Sequence, residues 1–131
     1  MAKQITVGLR YTFLVHGVMM TVFAFVYLFV PVLWGNLTGC LSNQVPQVFR
    51  IFGTAILGLA MASLLAYRET SWDNVKIVAQ TERILNILFA IIVLLGLLFW
   101  ELPRIGWMYF VVMTGFAIAF NVFYPRRQTD G

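Results

Sequence analysis

Charge constrains this chain most through where it is missing. No Asp, Glu, Lys or Arg occurs in residues 11–49, 51–67, 84–100 or 105–125. Each stretch can supply the roughly 17–25 apolar residues that carry a helix across the hydrocarbon of a bilayer. A segment in lipid must satisfy its backbone N–H and C=O groups internally, so such runs form helices. Composition agrees: only 11% of residues are charged and 61% are hydrophobic, against about 25% charged in an ordinary globular protein. The sequence predicts an all-α chain: a single integral membrane four-helix bundle over residues 1–131, with helices near 9–34, 47–68, 72–100 and 105–124. The first run is longer than a signal-peptide core and no clear small-x-small cleavage site follows, so it reads as a retained helix.

The net charge of +4 does not point to nucleic acid. The basic residues are scattered between apolar runs and form no stripe with interleaved aromatics, so they read as topology signals. With the N-terminus inside, the inner face holds Lys3, Arg10, Arg68, Lys76, Arg83, Arg126 and Arg127, and the outer face only Arg50 and Arg104. The positive-inside rule therefore places both termini on the cytoplasmic side, and the expected setting is a multi-pass protein of a bacterial inner (cytoplasmic) membrane. Tyr11, Tyr67, Trp72 and Tyr124 then mark the inner interface, and Trp34, Trp100 and Trp107 the outer one. The third helix would be ~43 Å long by the helical rise, against ~30 Å of hydrocarbon, so it projects on the cytoplasmic side or tilts strongly.

Small residues predict where helices approach closely. Thr54, Gly58 and Ala62 recur every fourth residue along the second helix, a smooth ridge of the kind that lets membrane helices associate through van der Waals contact. The ridge is expected to pack within the chain, with a face for another subunit as the alternative. At the outer end, Arg50, Glu101 and Arg104 are expected to form a small ion-pair cluster.

Polar residues supply the candidate site. Measured from the inner boundary markers, His16, Ser63, Asn86 and Asn121 lie at similar shallow depth, one from each helix, and Glu82 lies one turn before Asn86 on the same face. Polar side chains inside a membrane turn inward and find partners. These five residues are therefore expected to form a hydrogen-bonded layer. It could be a clamp between helices, or a site for a proton, a lipid headgroup, a quinone or a pigment. His16 is the sole histidine; with Glu82 it makes too small a ligand set for zinc, although one imidazole could ligate a single-His pigment. Cys40 allows no internal disulfide. Neither Ser63 nor Cys40 has an evident base beside it, so no nucleophilic catalysis is expected.

Arg50, Gly53 and Gly58, in an Arg-x-x-Gly-x-x-x-x-Gly stretch that enters the small-residue second helix, resemble the small bacterial membrane proteins of the DoxX-like type. That resemblance implies a four-helix bundle and no particular activity. Small multidrug exporters also have four short spans, but they carry an acidic residue within the first helix, and this chain has none there. The leading functional expectation is a non-enzymatic accessory subunit or oligomeric scaffold, with membrane lipids and other membrane subunits or further copies of the chain as partners. The alternative is a binding or transport protein for a lipophilic small molecule, centred on His16.

Overall fold

The structure is a computed structural model, and residues 4–40 and 46–125 are described. Lys3, Arg126 and Arg127, which enter the charge count above, lie outside the described residues. The chain folds into five helices: α1 (Val7–Phe29), α2 (Pro31–Thr38), α3 (Pro46–Arg68), α4 (Trp72–Phe99) and α5 (Gly106–Val122). Three of them, α1, α3 and α4, are long and apolar enough to cross a membrane, while α5 is a shorter apolar helix.

The first expected helix, 9–34, is in fact two. Proline disfavours helical geometry in the residue before it, and Val30 leaves the helix at φ −129°, ψ 43°. Its N–H closes α1 on the Val26 carbonyl at 3.0 Å, and its carbonyl takes the Trp34 N–H at 2.9 Å to open α2. Pro31 sits at the first position of the new helix, where its missing N–H costs nothing.

The long helices form two antiparallel pairs, α1 with α3 and α4 with α5, which touch each other only sparsely. Glycines set the α1–α3 distance. A Cβ added at Gly17 would lie 3.2 Å from the Ala60 carbonyl, and one at Gly53 3.1 Å from the Ala24 carbonyl. The expected ridge is displaced from this contact. Thr54 and Gly58 are exposed, and a Cβ at Gly58 would meet nothing within 4 Å. Gly53, Ala60, Ser63 and Ala66, on the neighbouring face, are the buried residues of α3 besides Phe49.

One end of the bundle, here called the base, carries the start of α1, the end of α3, the start of α4 and the end of α5. The Ile5 N–H bonds the Thr70 carbonyl at 3.1 Å, and the Trp72 and Tyr124 rings meet edge to face at 5.1 Å. The polar–apolar start of α4 lays Val75 and Ala79 into the core with no exposure. That core joins the two pairs through Leu9, Phe13, Val75, Ala79, Phe116 and Phe120. Burying this much apolar surface in one place ties the pairs at the base and leaves them apart above it.

Candidate functional site

Immediately above the base core, three polar side chains from three helices converge. His16 on α1 presents Nδ1 to Ser63 Oγ on α3 at 2.9 Å. Ser63 Oγ donates to Glu82 Oε1 on α4 at 3.1 Å, and Glu82 Oε2 lies 3.4 Å from His16 Nε2. All three are almost completely buried, at 2%, 0% and 1% exposure. Edge-to-face contacts with Phe116 and Phe120, at centroid distances of 4.7 and 5.5 Å, hold the imidazole from the α5 side.

The three side chains make a closed ring: Ser63 gives its single proton to Glu82, so its oxygen is left to accept from His16 Nδ1, and the imidazole and carboxyl group complete the ring by close approach.

Asn86, one turn up α4, is 3% exposed. Its Nδ2 donates to the Glu82 carbonyl at 2.7 Å, which orients the amide, since a carbonyl can only accept. Its Oδ1 is buried without a hydrogen-bond partner among the described residues. Asn121 does not join this layer: it is exposed, and its Nδ2 donates to the Ala117 carbonyl of its own helix at 2.7 Å. It shares the depth of the others but not their direction.

Above the ring the helix pairs enclose a cavity of about 290 Å³. Its wall is apolar over most of its length, with Met20 and Phe23 from α1, Ile56 from α3, Phe89 from α4 and Met113 from α5, and His16, Glu82 and Asn86 at the base end. Phe52 and Phe89 line it while 54% and 47% exposed, so the mouth lies between α3 and α4 and opens sideways from the bundle. Ser63 does not line the cavity.

The far end of the cavity is polar again, through residues that sequence reasoning missed. Tyr27 donates to the Tyr109 hydroxyl at 2.9 Å, and Trp34 Nε1 donates to the same oxygen at 3.0 Å. Both tyrosines line the cavity. Trp34 reaches them because the break at Val30 turns α2 back over the end of the bundle. The signals were Pro31 inside an apolar run and two phenols at positions with no water, since buried phenols take partners.

Two sequence expectations need correction. A base does stand beside Ser63, namely His16. The Ser63 hydroxyl is nevertheless closed off, engaged by both His16 and Glu82 and shielded from the cavity, so the Ser–His–Glu grouping does not present a nucleophile. The outer charge cluster does not form: Arg50 bonds Gln47 at 3.4 Å, and the ion pairs among the described residues are His16–Glu82 and Lys76–Asp73.

Helices long and apolar enough to cross a bilayer, with much of their apolar surface exposed, point to an integral membrane protein. No protein-family model, curated protein or solved structure matches the chain.

Proposed function

We propose that this protein crosses the membrane four times, with its base and both termini on the cytoplasmic side, and binds a lipophilic small molecule that reaches it laterally from the bilayer. The observation that carries the reading is the cavity itself. It is apolar along its length, opens between α3 and α4, and ends on His16, Glu82 and Asn86. Binding pockets of this kind combine mostly apolar walls with a few fixed polar groups that orient the ligand. The fourth span is α5, whose 17 residues rise ~25 Å, at the short end of what crosses hydrocarbon. The charge asymmetry supports the orientation, in a bacterial inner membrane. The DoxX-like resemblance implies a bundle alone; the cavity adds the function.

The test is extraction of the protein in mild detergent, followed by mass spectrometry of the small molecules that leave with it. Met113→Trp fills the cavity from α5 and should remove the bound species selectively. Equal amounts of the same molecules with wild type and the filled variant would overturn the reading.

A second reading, an accessory subunit or homo-oligomer, is favoured by one observation. Thr54 and Gly58 form a small-residue face that is exposed among the described residues. Mass measurement of the intact detergent complex tests it, and a monomer without partner chains would refute it.

A further inference from the structure

The base carries charge that its own acids do not neutralise. Its basic side chains among the described residues are Arg10, Arg68, Lys76 and Arg83, and its acids are Glu69 and Asp73. Both acids are engaged. Asp73 lies 3.6 Å from Lys76, and Glu69 accepts from Asn74 at 2.7 Å. None of the three arginines has a carboxylate partner among the described residues. Two of them are nevertheless fixed in place. The Arg10 guanidinium lies over the Tyr67 ring, 5.0 Å from its centroid, and its Nε donates to the Tyr67 carbonyl at 2.9 Å. The Arg83 guanidinium lies over the Tyr124 ring at 4.6 Å.

Helix polarity sets both directions. α1 and α4 start at the base, and helix side chains lean toward the N-terminus, so both arginines reach back down. Arg83 follows Glu82, which stands above the base core, and its long stem carries the charge down to Tyr124. Tyr67 and Tyr124 lie at the ends of the uncharged runs 51–67 and 105–125. Hydrocarbon gives way to headgroups at such ends, where tyrosine is enriched, so both guanidinium groups stand at headgroup level.

Resting on the membrane-crossing reading and not on the cavity, we infer that the base binds anionic phospholipids, with Arg10 and Arg83 as two preset clamps for lipid phosphate. The occupant follows from charge and depth. A ring contact leaves guanidinium N–H groups unspent, since Arg10 has used only one of its donors on the Tyr67 carbonyl. Those groups match phosphate oxygens as a fork, and the phosphates of the adjacent leaflet are the anions found at this depth. A choline headgroup brings its own cation against the arginines and a glycerol headgroup brings none. The site therefore selects phosphatidylglycerol over phosphatidylcholine.

The experiment offers the full chain, in mild detergent, equal amounts of these two lipids with matched acyl chains. Native mass spectrometry reads the ratio in which they stay bound. Wild type is expected to favour phosphatidylglycerol, and Arg10→Gln and Arg83→Gln should each lower the ratio about fivefold. Arg68→Gln removes the same charge from the same end, but no ring holds that side chain among the described residues, so its effect should be smaller. Equal retention of both lipids by wild type, or retention of neither, overturns the proposal. So does an Arg68→Gln effect as large as the other two, because the attraction would then be diffuse charge. Circular dichroism confirms folding. Should a Gln variant unfold, Arg10→Lys and Arg83→Lys keep the charge without the fork; they should also lower the ratio, and an unchanged ratio overturns the clamps. Neither arginine lines the cavity, so these failures leave the ligand reading standing. Release of the protein from membranes by alkaline carbonate without detergent would overturn membrane crossing and the lipid site together.

Discussion

Removing Ser63 should cost more than removing Glu82, and removing the whole ring should cost least. In Ser63→Ala, His16 Nδ1 and Glu82 Oε1 both lose their partner. Both residues stay at 2% exposure or less, so water cannot replace the hydroxyl. Leaving a buried polar group unpaired costs about 1–3 kcal/mol, which sets a ceiling of ~6 kcal/mol for two such groups. Interhelical hydrogen bonds in membrane proteins average ~0.6 kcal/mol, because the unfolded state also finds partners, and this sets a floor near 1. Complete burial of both groups puts the expected cost at about 2–4 kcal/mol. Glu82→Leu leaves Ser63 free to donate to His16 Nδ1 and orphans only Nε2, so about 1–2 kcal/mol is expected. The triple replacement His16→Phe, Ser63→Ala, Glu82→Leu leaves nothing unpaired, and such apolar substitutions of buried polar sets are often neutral or stabilising. The assay is SDS-driven unfolding in mixed micelles, followed by far-ultraviolet circular dichroism. A Ser63→Ala cost below about 0.5 kcal/mol would refute the closed ring, as would a triple variant that loses the sum of its single changes.

Gly53→Ala should destabilise, because the new Cβ would sit at 3.0–3.1 Å from Tyr27, Leu28 and the fixed Ala24 carbonyl. Overpacking costs typically ~1–3 kcal/mol, whereas Gly58→Ala, in open space, should be neutral or gain up to ~1 kcal/mol in helix propensity; the same detergent titration compares them. Pro31→Ala should let α1 run on through Val30 and draw Trp34 away from Tyr109. Tyr109→Phe is then expected to cost about 1 kcal/mol more in the native background, where it breaks the bonds from Tyr27 and Trp34, than beside Pro31→Ala, where only the Tyr27 bond is left to lose, as read by a double-mutant cycle. Phe120→Ala removes a fully buried ring that meets Phe13 at 5.4 Å and His16 at 5.5 Å, and should destabilise by about 3–5 kcal/mol.

The elements of this fold were legible wherever hydrophobicity acts alone. Uncharged runs located α3, α4 and α5 to within a few residues and took α1 and α2 as one run, because lipid solvation depends on composition and little else. The grouping was partly legible too: counting from the interface put His16, Ser63, Asn86 and Asn121 at one level with Glu82 one turn before Asn86, and His16, Ser63 and Glu82 do meet. Direction was not. Asn121 has the right depth but points outward from α5, a helix apolar on every side, so no periodic pattern announces which face is buried. The ridge failed for a related reason. α3 carries two small-residue faces, Thr54-Gly58-Ala62 and Gly53-Ala60, and its own sequence does not decide between them. The decision lies with α1, whose Gly17 and Ala24 meet the second face. The local signal that was passed over is Pro31, which here ends α1 at Val30 and opens α2.

A hydrogen-bonded clamp and a ligand site need not compete at the His16–Ser63–Glu82 layer. Each helix pair is tight within itself, and the pairs meet at the base core, so the ring sits where they part. Ser63 and His16 belong to one pair and Glu82 to the other, and their bonds resist separation of the pairs. Ser63 faces only protein and can serve only the clamp. Asn86 makes its bond within α4 and lines the cavity, so its role lies with the ligand rather than the clamp. His16 and Glu82 take part in the clamp and also line the cavity. The two roles should therefore separate by residue: Ser63→Ala should lower stability while the folded fraction keeps its co-purifying small molecule, and Asn86→Leu should do the reverse. If both variants moved both quantities together, the layer would be a single structural unit, and its position at the end of the cavity would carry no function.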